Sequence, residues 1–298
     1  MSTTTKKAMA SLLPHAKIIL HPSSKRGHAN HGWLNSHHTF SFAGYFDTRY
    51  NNHGSLRVLN EDRVAPNSGF PTHPHRDAEI FSYIISGELT HRDSMSGSKK
   101  AGEQTSSDFY RMKRGDVQFT TGGTGIAHSE QNEHDTETVH FLQIWVTPWK
   151  KGLPPTYHTQ TFGEEEKRKG FVTIVSPLKA GKNATAGEEK AAIPTIEGTI
   201  PIHADFLMGA SIVPEGKTVE WKIGGENSAR ETNDRKAYVH LPIKSGKSKI
   251  RLAGREETVL SEGDGAFISA VNAGDVLAVE SIGEQEAELV VFDSDGIA

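Results

Sequence analysis

Along this chain Val, Ile, Phe, Tyr and Thr gather in short segments, and 29 glycines and 13 prolines punctuate them. Strands and tight turns of a β-sandwich or barrel are written this way, with successive side chains facing opposite sides of a sheet. Strand-like segments lie at 54–59, 79–85, 88–92, 116–120 and 138–146, and again at 205–213, 218–223, 237–243, 249–253, 265–270, 275–280 and 286–293. An aromatic strand is expected over 39–46. Helical periodicity is scarce: residues 164–169 offer the one short helix, and the Gly/Ala/Lys stretch 179–191 is expected as a loop or linker. The strongest apolar runs, 18–20 and 288–292, are strand-sized, well short of the roughly 18 residues needed to span a bilayer, so no membrane partner is expected.

A weak repeat emerges when Arg114-Gly115-Asp116-Val117-Gln118-Phe119 is laid on Glu262-Gly263-Asp264-Gly265-Ala266-Phe267, an offset of 148. Without gaps the same offset lays 141–146 on 289–294, and 83–87 resembles 242–246. Two copies of one β-domain are the simplest account, the first over 1–149 and the second over 150–298. Arg114-Gly115-Asp116 is then a turn before a strand and not an adhesion motif.

Composition narrows the chemistry. Cysteine is absent from the 298 residues, which excludes disulfide scaffolds, iron–sulfur clusters and thiol catalysis. A net charge of −4 argues against a protein that coats nucleic acid, and no direct nucleic-acid binding is expected. The basic run 167–169 is neutralised by 164–166 and is expected as a solvated face. Residues 1–46 carry five basic and no acidic residues, as a transit peptide would, but only one is Arg and folded-looking sequence starts by Ala16. Of 16 histidines, 13 fall before residue 150, which directs the search for chemistry to the first half.

His73-Pro74-His75 is the strongest local signal. In an extended strand residues i and i+2 share a face, so both imidazoles can reach one ion. A second pair with the same spacing, His128 and Glu130, follows the glycine-rich turn 121–125. Three imidazoles and a carboxylate suit Fe(II), Mn(II), Co(II), Ni(II), Cu(II) or Zn(II) and leave coordination positions open. Glu79 competes as the carboxylate, because an unbroken strand would place it on the face of His73 and His75. In the second copy the 148 offset lays His128 on Val276 and Glu130 on Ala278. Aligning Gly87 with Gly246 lays His73 on Thr232 and His75 on Asp234. One divalent ion per chain follows, held in the first half. His91 sits on a hairpin return from which it could approach the site, with a surface strand position the favoured expectation; His28, His31, His37, His38 and His53 are expected as structural, and Trp33, Trp145, Trp149 and Trp221 in core or inter-domain packing.

Three blocks in fixed order resemble the pirin family, a bicupin group of the cupin superfamily: 31–42 (His-Gly-Trp-Leu-Asn-Ser-His-His-Thr-Phe-Ser-Phe), 72–80 (Thr-His-Pro-His-Arg-Asp-Ala-Glu-Ile), and 115–119 with 123–130. The likeness is densest over 17–147, and the first block is similar to microbial quercetinase-like pirins. It implies an all-β bicupin of two tandem jelly-roll barrels with few short helices. It also implies metal ligands at His73, His75, His128 and Glu130, usually around iron, which favours Glu130 over Glu79. The implied activity is that of a quercetin 2,3-dioxygenase, opening a flavonol ring with O2 and releasing carbon monoxide, with Glu130 taking the 3-hydroxyl proton. The implied place is the cytoplasm. Some pirins instead act as non-enzymatic transcription cofactors in the nucleus, which would give this chain a transcription-factor partner. A third reading is a cupin enzyme acting on another enol or phenol. Two departures concern substrate access: Arg114 stands where the family commonly has Pro, and 96–112 looks lengthened near the barrel mouth.

Overall fold

The computed structural model describes residues 13–93, 110–225 and 234–296. The lengthened segment 96–112 falls mostly outside them. Each half builds a seven-stranded sheet backed by a four-stranded one, and the two pairs have the same plan. In the first barrel the large sheet runs Thr156–Thr161, Asp116–Thr121, Glu79–Ser86, Val139–Val146, Leu56–Val64, Leu34–His38, Gly27–Asn30. Its small sheet runs Ser68–His75, Ile126–Asn132, Glu88–Asp93, Tyr110–Lys113. In the second the orders are Lys17–His21, Gly265–Val271, Arg235–His240, Ala287–Asp295, Phe206–Val213, Val172–Pro177, Ile200–Ile202 and Thr218–Lys222, Val276–Ser281, Lys249–Leu252, Val259–Ser261. The architecture is the expected all-β bicupin.

The two halves are interlocked. Lys17–His21 pairs with Gly265–Val271 of the second barrel, and Thr156–Thr161 pairs with Asp116–Thr121 of the first. One strand thus crosses the 149/150 division in each direction. The large sheets face each other across a core that mixes Phe81, Phe119, Leu142 and Ile144 with Phe206, Tyr238, Phe267 and Phe292. Residues 39–46 are not a strand: the ladder ends at His38, and Ala43 at φ 48° turns the chain so that only Phe42 and Tyr45 bridge. The stretch 179–191 is more ordered than a linker, with a 3-10 turn at Gly181–Asn183 and a helix at Ala186–Ala191 closed by a Thr185/Glu188 capping box.

The repeat holds for the inner strands, while the outermost pair of the large sheet is antiparallel in the first barrel (Gly27–Asn30 with Leu34–His38) and parallel in the second (Val172–Pro177 with Ile200–Ile202). Gly115 (φ 85°) and Gly263 (φ 87°) make the same turn, and Asp116 and Asp264 each accept a hydrogen bond from the amide three residues upstream. The ungapped 148 offset slips after that point. Ala270 (φ 55°) marks an extra residue in Gly265–Val271, and a one-residue slip exchanges the faces of a strand. The inward residues of Val276–Ser281 are therefore Leu277 and Val279, not Val276 and Ala278. Trp221 pairs with Leu277 as His73 pairs with His128, so Trp221 and Ile223, rather than Thr232 and Asp234, stand for the two histidines; Thr232 lies outside the described residues. All four positions are buried and apolar. Asn60, Ser82, Gln118, His128, Glu130 and Gln143 are all buried in the first barrel, whereas Leu207, Val239, Ile268, Leu289 and Val291 fill the second.

Glu61 pins the barrels together. Its fully buried carboxylate accepts from Arg26 Nη1 (2.9 Å), His140 Nε2 (3.0 Å), His240 Nε2 (3.1 Å) and the Ile243 amide (2.7 Å), the last two belonging to the second barrel. Burial alone would raise its pKa, but these hydrogen bonds and the Arg26 charge hold it well below the carboxylate range. A depressed carboxyl contributes its stability above the unfolded value near 4.3 and loses it as pH falls through the folded value. Replacing Glu61 by Gln should cost about 3–5 kcal/mol in urea unfolding at neutral pH, since Arg26 stays buried without its counter-charge. A loss below about 1 kcal/mol, the worth of a surface pair, would contradict this role.

Candidate functional site

Neighbouring strands of the small sheet bring the predicted histidines together. His73 lies opposite His128, and the ladder then shifts so that Glu130 faces Phe70, leaving an extra residue at Pro71-Thr72. That bulge frees the Pro71 carbonyl, which accepts from His73 Nδ1 at 2.8 Å and turns His73 Nε2 inward. Donor nitrogens of His73, His75 and His128 all lie within 4.8 Å of one another, with ring centroids 4.6–4.7 Å apart. His75 Nε2 is buried without a hydrogen-bond partner, and His73 Nε2 and His128 Nε2 are 3.2 Å apart. Three nitrogen donors crowded about one point, one of them unpartnered, fit a cation.

His75 and His128 are held neutral. Burial, then the neighbouring imidazoles, push His128 down to about 2; burial and His73 push His75 to about 4. A neutral imidazole is the ligating form.

Glu130 is fully buried on the barrel floor. Its oxygens accept from Ser82 Oγ (2.9 Å) and Gln143 Nε2 (3.3 Å), and it is not among the donors that cluster with the three imidazoles. Burial raises its proton affinity, partly offset by Ser82. Asp62, which takes the Ser36 hydroxyl, lies in the same interior, and burial pushes it up to about 7. Glu79 is turned elsewhere. Asp77 at φ 52° breaks the strand after His75, so face parity does not carry across the turn, and Glu79 begins a strand of the other sheet. There it accepts from the His203 amide (2.8 Å), His203 Nδ1 (2.6 Å) and Thr121 Oγ1 (3.0 Å).

His91 is not on the surface. It is 1% exposed, its Nε2 lies 2.8 Å from His128 Nδ1, and Tyr157 of the crossing strand covers it at 5.4 Å between ring centroids. It is covered by His128 of its own sheet and by Tyr157 of the opposite sheet, and the second of these lies far off in sequence. Trp145 also belongs to the site: its ring meets His75 edge-on at 4.9 Å, Phe42 stands at 5.5 Å, and its buried Nε1–H has no partner. Of the other histidines, His28 stacks on His37, His38 Nδ1 bonds Asn60, and His53 Nε2 reaches second-barrel carbonyls, all structural as expected.

Two β-barrels, one polar and histidine-lined and one apolar, define a bicupin whose candidate metal ligands, among the described residues, all gather about His128 in the first barrel. Comparison with known proteins agrees. A sequence model described as Pirin matches residues 20–146. A Zymomonas mobilis protein provisionally named a quercetin 2,3-dioxygenase is 33% identical over 274 residues, 92% of this chain and 97% of that protein. Escherichia coli K12 quercetin 2,3-dioxygenase is 43% identical over 160 residues, 54% of this chain and 63% of that protein. The crystal structure of E. coli YhhW covers 94% of this chain and 99% of its own, at 29% identity and a TM-score of 0.73, and a second structure of that bacterial pirin is a nickel(II) complex. The chain belongs to the pirin family. These relatives are bacterial, which lends no support to a nuclear place, and no helix among the described residues is long and apolar enough to cross a membrane.

In chelator-treated protein, ring-nitrogen NMR should find His75 and His91 neutral to about pH 4 and His128 below that. Titration near the ordinary 6.5 would contradict the burial that prepares these rings.

Proposed function

We propose that this chain is a metal-dependent dioxygenase that opens the flavonol ring of quercetin with O2. The carrying observation is the cluster of three imidazoles, with His128 fully buried, beside an aromatic wall, in a chain whose relatives bear the name quercetin 2,3-dioxygenase. His73, His75 and His128 would hold one divalent ion, iron(II) by the family resemblance, with Glu130 as the carboxylate donor. The ion would supply Lewis acidity toward the enol oxygen of the substrate.

The residues do the rest. Glu130 receives the 3-hydroxyl proton, and burial, which raises its proton affinity against the opposing bonds from Ser82 and Gln143, suits a group that takes one up. Trp145 and Phe42 give a planar substrate an edge to pack on, and the free indole N–H can donate to a carbonyl oxygen. The closed barrel floor keeps water from the reacting ring.

His91 sets the tautomer of His128. Were His128 Nε2 a donor atom for an ion, its N–H would be on Nδ1 and would donate a hydrogen bond to His91 Nε2, so that His91 would be the Nδ1–H tautomer. The Asp93 carboxylate has an oxygen within 4.8 Å of a nitrogen of each ring, so the pair sits beside a negative charge.

Protein loaded in turn with Fe(II), Mn(II), Co(II), Ni(II) and Cu(II) should consume quercetin aerobically, followed by loss of flavonol absorbance, and His128→Ala should fall to background. No turnover with any fully bound metal would refute the enzyme. His91→Leu should weaken metal affinity about 10–100-fold in competition with a chelating dye, and His91→Gln, which keeps an acceptor, should lose much less. Equal losses in both variants would assign His91 a packing role only.

A further inference from the structure

A cavity of about 630 Å³ lies between the barrels and shares no residue with the imidazole cluster. Ser55 and Arg57 line it from the first barrel, Asp205 from the second, Trp149 from the connection, and the Gly181–Asn183 turn covers it. The segment expected as a linker is thus a wall. The helix after the turn is fastened through Glu189, which accepts from Lys150 Nζ (2.6 Å) and His203 Nε2 (2.5 Å).

Three polar atoms here are buried without a partner: Ser55 Oγ, Asp205 Oδ2 and Trp149 Nε1. Ser55 and Asp205 are only 8% and 7% exposed, so bulk water does not readily satisfy them. Buried polar groups are rarely left unpaired, and several facing one void mark a place where something binds. The charges narrow what that is. Arg235, fully buried, donates to Asp205 Oδ1 (3.1 Å) and Asp293 Oδ1 (2.7 Å), so Asp205 shares its guanidinium with a second carboxylate, and Asp295 stands with Asp205 on the cavity lining as its negative side. Arg57 and the exposed Lys182 supply positive charge on the cavity lining.

We propose that the inter-barrel cavity is a second ligand site, for a small zwitterion of the α-amino-acid type. Its ammonium would sit on Asp205 and Ser55, and its carboxylate would take the Trp149 N–H and face Arg57 and Lys182. Charge-assisted hydrogen bonds at both ends give the selectivity, since a molecule carrying one charge satisfies only half the site.

Titration calorimetry and thermal-shift measurements on the full chain would use the free L-amino acids as probes, with butylamine and butyrate as single-charge controls. At least one amino acid should bind and raise the Tm, about tenfold or more tightly than either control. Ser55→Ala, Trp149→Phe and Asp205→Asn should each weaken it severalfold to tenfold, and His128→Ala should leave it unchanged. If Asp205→Asn does not fold, the other two variants decide. Binding by none of the amino acids, equal binding of butylamine or butyrate, or binding indifferent to both Ser55→Ala and Trp149→Phe would overturn the proposal.

Discussion

Everything at the site depends on the register between two short antiparallel strands, Ser68–His75 and Ile126–Asn132. Because side chains alternate faces with a period of two, one step of slip would turn the imidazoles of one strand, His73 and His75, to the face opposite His128 and break up the cluster. The register that sets His73 opposite His128 is fixed on one side by the bulge at Pro71-Thr72 and on the other by the turn at Gly122–Gly125, where the Gly125 amide bonds the Gly122 carbonyl at 2.8 Å. Gly123 has no room for a side chain: a Cβ there would lie 1.9 Å from the Leu153 carbonyl oxygen. The backbone thereby places three imidazoles before any side-chain interaction acts.

The second barrel shows what the same plan becomes without that chemistry. Its strands follow the same order, but Trp221, Ile223, Leu277 and Val279 occupy the inward positions and pack into a continuous apolar core. An apolar interior gains stability directly from burial. The first barrel gives up part of that gain to hold Glu130, Asp62, Gln143 and the histidines away from water, and it is not left to stand alone. The exchanged strands, the shared aromatic core and the four-donor Glu61 cluster bind it to its apolar twin.

The sequence made the barrel plan, the repeat and the three imidazoles legible, because each is written in local pattern: alternation, a Gly-Asp turn, and His-x-His spacing. What it hid was non-local or a matter of a single residue. His91 looked like a surface residue because Tyr157, which buries it, comes from a strand 66 positions away. Glu79 kept the parity of His73 and His75 on paper, but Asp77 in the left-handed region breaks the strand between them. The extra residue at Ala270 moved the counterparts of His128 and Glu130 by one place. The helix at Ala186–Ala191 could have been found, since Thr185-x-x-Glu188 is a capping box, although the Gly/Ala/Lys composition around it suggested a linker.

The central claim is that one barrel, and only one, gathers ligands for a metal. Anomalous diffraction at the metal absorption edge, on crystals of the iron- or nickel-loaded protein, tests it most directly. One peak per chain is predicted, about 2.0–2.2 Å from a ring nitrogen of each of His73, His75 and His128. A peak elsewhere, or none at the three imidazoles under full loading, would contradict it.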